Sequence, residues 1–399
     1  MKTSNIVLLL LVIMINFSCK DNELPPPIVI KKPPVVIDNT LTIKQILATN
    51  FPNSNFYFGC ITNDKFLGDG NAKAAIFNNE FSYSTPENQF KQQWVYGTPG
   101  YAWNSTAYEG LISMARVNKQ VVRAHCPISP QSSKWALDDA RTPTELNSMA
   151  TEFMTRMCQS LEANKDVVKW MDVVNETVAT STISDSKFTY AAGDWFGPLL
   201  GTSSWENPWI IIGQEDVTNL KVPLYIENAF NIAKTYAPNI KKLYNQHGRS
   251  FDPAPWDRIK KTVLYLRSKG CVVDAVGWQA HISPGFEKDP ANIIGLNAII
   301  DWCYANNLEF HITELDIKLG NVPDTAFKTQ EVAIADTYAA IVKVMLKKIG
   351  KGAVGINCWS FNDRPSTSDA TAGLYDVNNK PNLCLTKIKE TMLSNIPAK

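Results

Sequence analysis

Val168-Lys-Trp-Met-Asp-Val-Val-Asn-Glu176 is the stretch on which the reading of this chain turns. So continuous a run of β-branched and large apolar residues fits a strand buried on both faces, as in parallel sheets, and it ends on a carboxylate. Glu309-Phe-His-Ile-Thr-Glu314 repeats the pattern. Buried strands that end in acids are what a (β/α)8 barrel presents where its strand C-termini converge on one pocket.

Working outward, eight apolar segments alternate with longer helical patterns. They are Asn55–Cys60, Ile76–Phe81, Gln120–Ala124, Val168–Asn175, Lys242–Asn245, Val273–Gln279, Glu309–Thr313 and Ala353–Ser360. Such alternation predicts a parallel α/β architecture. Leu146–Ala163 reads as an amphipathic helix, with Met149, Phe153, Met157 and Leu161 spaced four apart. Val222–Tyr236, Asp257–Lys269, Ile293–Asn306 and Thr329–Lys348 look similar. A count of eight strands predicts a closed (β/α)8 TIM barrel rather than an open doubly wound sheet. No Gly-rich phosphate fingerprint follows the first strand, which argues against a nucleotide fold. No second linker or internal repeat follows Leu41, so residues 41–399 are expected to form a single catalytic domain.

The hydrophobic content of 45% and charged content of 19% are those of a globular chain. A net charge of +1 without a long basic run favours no polyanion, so no nucleic-acid partner is expected. Residues 1–18 read as a secretory signal: Lys2, the apolar run Ile6–Ile15, then Ser18 before Cys19. The run is too short to span a membrane comfortably. Cys19 resembles the lipidated cysteine of a bacterial lipobox, though Asn16 departs from its usual aliphatic residue. Lys20-Asp-Asn-Glu23 resembles the acidic export tag of Bacteroidetes-type surface lipoproteins. A lipid anchor in the cell outer membrane is the resulting expectation, the alternative being a periplasmic or secreted protein. Residues 19–40, with Pro25-Pro-Pro27 and Pro33-Pro34, read as an extended spacer after that anchor. The cysteines beyond Cys19 are odd in number and form no Cys-x-x-Cys pair, so neither a disulfide framework nor a zinc site is indicated. A monomer is expected.

The two glutamates have company at the same predicted strand ends. Asn175 precedes Glu176; Gln279 and His281 end the sixth strand; Asp316 follows Glu314; Trp359 ends the eighth. Glu87, Asn88 and Lys91 follow the second strand. An isolated polar residue past a strand is usually just solvated. Their joint placement is what points to a site. Two carboxylates from different strands can flank one bond, one as acid/base and one as nucleophile, which is the minimum equipment for cleaving a glycosidic linkage. That chemistry calls for no metal or other cofactor, and no His/Asp/Glu cluster has metal-ligand spacing.

Four segments carry a resemblance to glycoside hydrolase family 10, the retaining xylanases: Trp170-Met-Asp-Val-Val-Asn-Glu176, His311-Ile-Thr-Glu-Leu-Asp-Ile317, Gly277-Trp-Gln-Ala-His281 and Thr85-Pro-Glu-Asn88. The resemblance implies an endo-1,4-β-xylanase-like enzyme that cleaves internal linkages of xylan or a decorated xylan, or a related plant or algal polysaccharide. It implies Glu176 as acid/base, Glu314 as nucleophile and Asn175 as a donor to the sugar 2-hydroxyl. It also implies that His281 with Asp316 orients the nucleophile, that Gln279 lies beside the reacting sugar, and that Glu87, Asn88 and Lys91 hold the next sugar. Trp359 matches an aromatic wall of the cleft. In a retaining enzyme one carboxyl must be ionised while the other is protonated, and hydrogen bonds to Glu314 would keep its pKa low.

Three loops depart from the family pattern. Where Gly-His-Thr-Leu-x-Trp-His is usual, this chain has Ala124-His-Cys-Pro-Ile-Ser-Pro130, keeping His125 as a substrate contact. A second cleft Trp beyond Trp359 is missing from Asn362-Asp-Arg-Pro-Ser-Thr367, and Asn-Asp-Tyr-Asn becomes Asn245-Gln-His-Gly248. Asn245 is expected to meet substrate, and Arg364, His247 or the tryptophan-rich stretch to supply new contacts in a pocket rebuilt for a modified or decorated sugar. The tryptophan-rich stretch 177–209 either lines a groove or packs as a small core over the barrel mouth. The alternatives are a non-catalytic or weakly active glycan-binding lipoprotein, which would need aromatics but not paired carboxylates, and a retaining hydrolase of another β-linked glycan.

Overall fold

Short runs rich in β-branched and aromatic residues build the barrel wall: β1 (Tyr57–Thr62), β2 (Tyr83–Pro86), β3 (Val121–Ala124) and β4 (Val168–Asn175). After β4 an excursion carries the hairpin β5 (Ile183–Ser184) and β6 (Thr189–Tyr190), and the wall resumes with β7 (Lys241–Gln246) and β8 (Ala275–Trp278). A two-residue strand β9 (His281–Ile282), the long β10 (Glu309–Gly320), β11 (Ala353–Cys358) and β12 (Ala370–Ala372) complete the set. In this computed structural model the wall runs β11-β1-β2-β3-β4-β7-β8-β10, and β10 pairs back onto β11. All eight are parallel, so the sheet closes as a (β/α)8 barrel.

The structure describes residues 40–68, 70–96, 102–129, 141–184, 186–198, 207–320, 325–365 and 370–397. These lie in one compact unit, Ile37–Lys399. The expected signal peptide, Cys19 and the proline-rich spacer up to residue 39 lie outside them, as do Pro130, Trp205, Ser366 and Thr367.

Helices α1 (Ile43–Asn50), α2 (Ala72–Glu80), α3 (Gln92–Val95), α4 (Thr106–Val117), α5 (Pro143–Ala163), α6 (Leu224–Tyr236), α7 (Pro253–Ser268), α8 (Pro290–Ala305), α9 (Thr325–Lys347) and α10 (Leu383–Ser394) fill the connections and flanks. In α5, Thr142 and Glu145 form a capping box with Pro143 at the first turn. Its buried stripe is Leu146, Ala150, Phe153, Met157 and Leu161, rotated slightly away from half-buried Met149.

One expected strand is wrong. Ile76–Phe81 belongs to α2 and its C-cap, and the second wall strand is Tyr83–Pro86. Asn71 caps the first turn through Ala74 N–H at 3.0 Å, and Ala74 and Phe77 bury at helical spacing. Local capping and the i, i+3 pattern override the strand-like pair Ile76-Phe77. A smaller correction concerns β10, which runs on to Gly320 instead of stopping at Thr313.

A fully buried ion pair lies inside the barrel wall. Arg123 on β3 donates to Asp172 on β4 at 2.5 Å and to the Thr313 carbonyl at 2.7 Å, with neither charged side chain exposed. Removing one partner strands the other charge in an apolar interior, so Asp172→Ala is expected to cost about 3–5 kcal/mol. Urea unfolding of the variant measures this; a loss below about 1 kcal/mol, the range of an exposed pair, would contradict the account.

Candidate active site

The C-terminal ends of the wall strands deliver side chains to one cleft of about 440 Å³. Period-2 alternation places Glu314, Asp316 and Lys318 on the same side of β10, and all three line it. Asn175 and Glu176 arrive from β4, Gln279 and His281 from the β8–β9 corner, and Trp359 from the end of β11. Glu87, Asn88 and Lys91 come from the loop after β2, His125 and Ser129 from that after β3, His247 and Gly248 from that after β7, and Arg364 from that after β11.

Backbone geometry at the strand ends is unusual. Glu176 has φ of 52° and Ala280 φ of 62°, a left-handed conformation that side chains rarely adopt. A register shift precedes Glu176, between Asp172 and Val174 in β4, and another spans Glu314, between Ile312 and Leu315 in β10. Such bulges re-aim side chains beside binding sites.

The glutamates are joined by a chain of amides whose orientation follows from the carboxylates. Ionised Glu314 only accepts, so the Asn245 Nδ2 group donates to its Oε1 at 2.8 Å, while the Gln279 Nε2 group donates to Glu176 Oε1 at 2.7 Å. The same two groups donate to Asn175 Oδ1, at 2.9 and 3.0 Å. Asn175 therefore holds its oxygen inward and keeps its NH2 for the cleft. Asn245 Oδ1 accepts from Thr313 Oγ1 at 2.8 Å. Gly277 lies against this group: a Cβ there would sit 2.5 Å from Asn245 Oδ1, so glycine is required for the asparagine to stand where it does.

Glu314 is buried with two histidines. His281 Nε2 lies 3.4 Å from Glu314 Oε2 while its Nδ1 bonds Asp316 Oδ1 at 2.8 Å. His125 Nδ1 lies 3.7 Å from Glu314 Oε1 and bonds Asp172 Oδ2 at 2.7 Å. Burial pushes the Glu314 carboxyl up, but the charges on His125, His281 and Arg123, with the His281 hydrogen bond, outweigh it and hold the pKa at about 2. Burial likewise opposes the charge on His281, yet Asp316 and Glu314 raise it to about 10. For His125, burial is outweighed by Cys126, Glu314 and Asp172, again to about 10. The carboxylate and both imidazolium ions thus sustain one another.

The family model for glycosyl hydrolase family 10 matches residues 47–198 and 215–391. The chain belongs to glycosyl hydrolase family 10. This family 10 chain is 26% identical over 333 residues to endo-1,4-beta-xylanase A of Caldicellulosiruptor saccharolyticus, spanning 78% of this chain and 87% of that protein. It is 24% identical over 355 residues to endo-1,4-beta-xylanase B of Thermotoga neapolitana, spanning 85% and 89%. The crystal structure of native xylanase 10B from Thermotoga maritima superposes with a TM-score of 0.71 at 23% identity, covering 89% of this chain and 99% of that one. That likeness establishes the barrel. The protein is a glycoside hydrolase similar to endo-1,4-beta-xylanases.

Of the residues expected at the family 10 site, the cleft gathers Glu176, Glu314, Asn175, His281, Asp316, Gln279, Glu87, Asn88, Lys91, His125, Trp359 and Arg364. Asn245, expected to touch substrate, does not line the cleft: it is fully buried, its polar atoms committed to Thr313, Asn175 and Glu314. Within the described part of 177–209, Trp195 and Trp209 join the main core and Phe196 packs with Ala179, and none of these lines the cleft. Sequence reading missed Arg123 and Asp172, which look like ordinary strand residues until their burial is seen. It also missed Lys318, which period 2 would have found had β10 been carried past Glu314. Among the described residues no group of three or more His, Cys, Asp or Glu is arranged to hold a metal.

A pH test follows from the histidines. A group whose pKa is raised from 6.5 to about 10 contributes stability that is complete below pH 6.5 and lost as pH rises through 10. The melting temperature of the wild type should therefore fall across this window, and that of His281→Gln should fall less. Equal slopes in the two proteins would contradict the assignment.

Proposed function

We propose that the enzyme cleaves internal β-1,4-xylosidic linkages of xylan, plain or decorated, with retention of anomeric configuration. Glu314 acts as nucleophile and Glu176 as acid/base. The observation that carries this reading is the unequal treatment of two glutamates in one cleft. Glu314 is surrounded by positive charge and donors and stays ionised. Glu176 receives one amide donor on Oε1, and its other oxygen has no partner among the described residues. A permanently ionised carboxylate suits attack on the anomeric carbon; a carboxyl with one free oxygen suits proton transfer to the leaving oxygen.

The reaction then divides into two displacements. Glu314 forms a bond to the anomeric carbon as the glycosidic C–O bond breaks, and Glu176 passes its proton to the departing oxygen. Water next attacks the glycosyl–enzyme ester, Glu176 takes the water's proton, and Glu314 leaves as carboxylate. Asn175 offers its NH2 to the sugar 2-hydroxyl. Gln279 Oε1, buried and without a partner among the described residues, is available to accept a hydroxyl hydrogen. Lys91 bonds Asn88 Oδ1 at 2.9 Å and, with Glu87, walls the cleft further along.

Glu176→Ala is expected to lower kcat on xylan by about 10²–10⁴-fold, the usual worth of general acid–base catalysis, and Glu314→Ala to abolish turnover, while chain binding persists in both. Proton NMR of early products from the wild type should show the β-anomer first, with the α-anomer growing in by mutarotation. Initial appearance of the α-anomer, or undiminished turnover in either variant, would defeat the proposal.

A further inference from the structure

Most charged side chains around the cleft have a counterpart. Glu314 and Asp316 face His281, Lys91 bonds Asn88, and Glu87 Oε2 is 3.5 Å from Asn63 Nδ2. Arg364 differs. It lines the same cleft, its side chain is exposed, and its guanidinium makes no ion pair or hydrogen bond among the described residues. Its backbone, by contrast, is fixed: Arg364 N–H donates to the Thr371 carbonyl at 2.8 Å and the Thr371 N–H returns a bond at 3.1 Å. The guanidinium is therefore presented from an anchored segment.

Arg364 does not stand alone. Lys73, on α2, lies with its ammonium 5.3 Å from the Phe66 ring centre and 5.1 Å from that of Phe361, three residues before Arg364. Burial, and then the nearby charges of Arg364 and Lys65, keep the Lys73 pKa below its ordinary value even against the opposing influence of Cys60. Lys73 does not itself line the cleft, but its ammonium sits against Phe361 in the segment that carries Arg364, so the two cations belong to one neighbourhood. Like charges left unneutralised cost free energy, and an anion placed between them and solvent recovers it. Arginine presents a planar fork that matches a carboxylate in two parallel hydrogen bonds. Glycan hydroxyls alone do not require a full positive charge.

Resting on the xylan-cleaving reading above, we propose that Arg364, backed by Lys73, recognises the carboxylate of an acidic, uronic-acid-type substituent on the glycan chain. The enzyme then prefers a backbone carrying such substituents over the same backbone without charge.

The test compares an acid-substituted xylan with the same polymer after its carboxyl groups have been reduced to alcohols, so that branch size is kept and only charge is lost. For the wild type, kcat/KM should be about fivefold higher on the carboxylate form at low ionic strength, the worth of a partly exposed ion pair, and salt should shrink the ratio. In Arg364→Ala the ratio should fall to near one. A ratio of one in the wild type, or an unchanged ratio in Arg364→Ala, overturns the inference while leaving xylan cleavage intact. Absence of cleavage on both polymers would instead refute the xylanase reading. Because each ratio is taken within one protein, a loss of folded enzyme in the variant does not affect it.

Discussion

Burying the negative charge of Glu314 at the mouth of an apolar barrel is the constraint around which the rest is organised. Left alone there, a carboxylate takes up a proton rather than accept the cost of desolvation. It stays ionised because His125, His281 and Asn245 approach it from three other wall strands or their ends. Each of these needs support in turn. His125 leans on Asp172, Asp172 on Arg123, and Arg123 reaches back to the carbonyl of Thr313, the residue before Glu314. His281 leans on Asp316, its register partner across β9 and β10. The charges form a closed circuit, and opening it anywhere leaves an unmatched ion in the interior.

The circuit also fixes the second glutamate. Asn245 and Gln279 each divide their NH2 group between Asn175 and one glutamate, so the position of Glu176 is tied to that of Glu314 through three amides. The left-handed backbone at Glu176 and Ala280 costs of order 1–3 kcal/mol per residue and persists only where surrounding contacts over-determine it. Here the amide chain and the β-bulges do so. Rigidity of this kind keeps a nucleophile and a proton donor in register without substrate present.

Much of this was legible in the sequence because parallel barrel strands are buried on both faces and read as apolar runs. Val168–Asn175 coincides with β4 to the residue, and the acids that end such runs stand out against them. The reading failed where two patterns compete over a short span, as at Ile76–Phe81, where Asn71 capping decides for helix. It also failed where function depends on which way a polar residue faces. Asn245 was recognised as a site residue but assigned to substrate, since nothing local says that its neighbours across the barrel are Asn175 and Glu314. Arg123 and Asp172 were invisible for the same reason: each makes sense only beside the other. The aromatic stretch 177–209 could line or pack, and composition alone does not separate the two.

The most direct test is to trap the covalent intermediate. A 2-deoxy-2-fluoro-xylobioside with a good leaving group destabilises the oxocarbenium-like transition states of both steps, and the leaving group restores only the first. Incubation should add the mass of one fluoro-xylobiosyl group to the protein, and peptide mapping should place it on Glu314. A label on Glu176, or continued turnover through a reaction that leaves the protein unlabelled, would contradict the account.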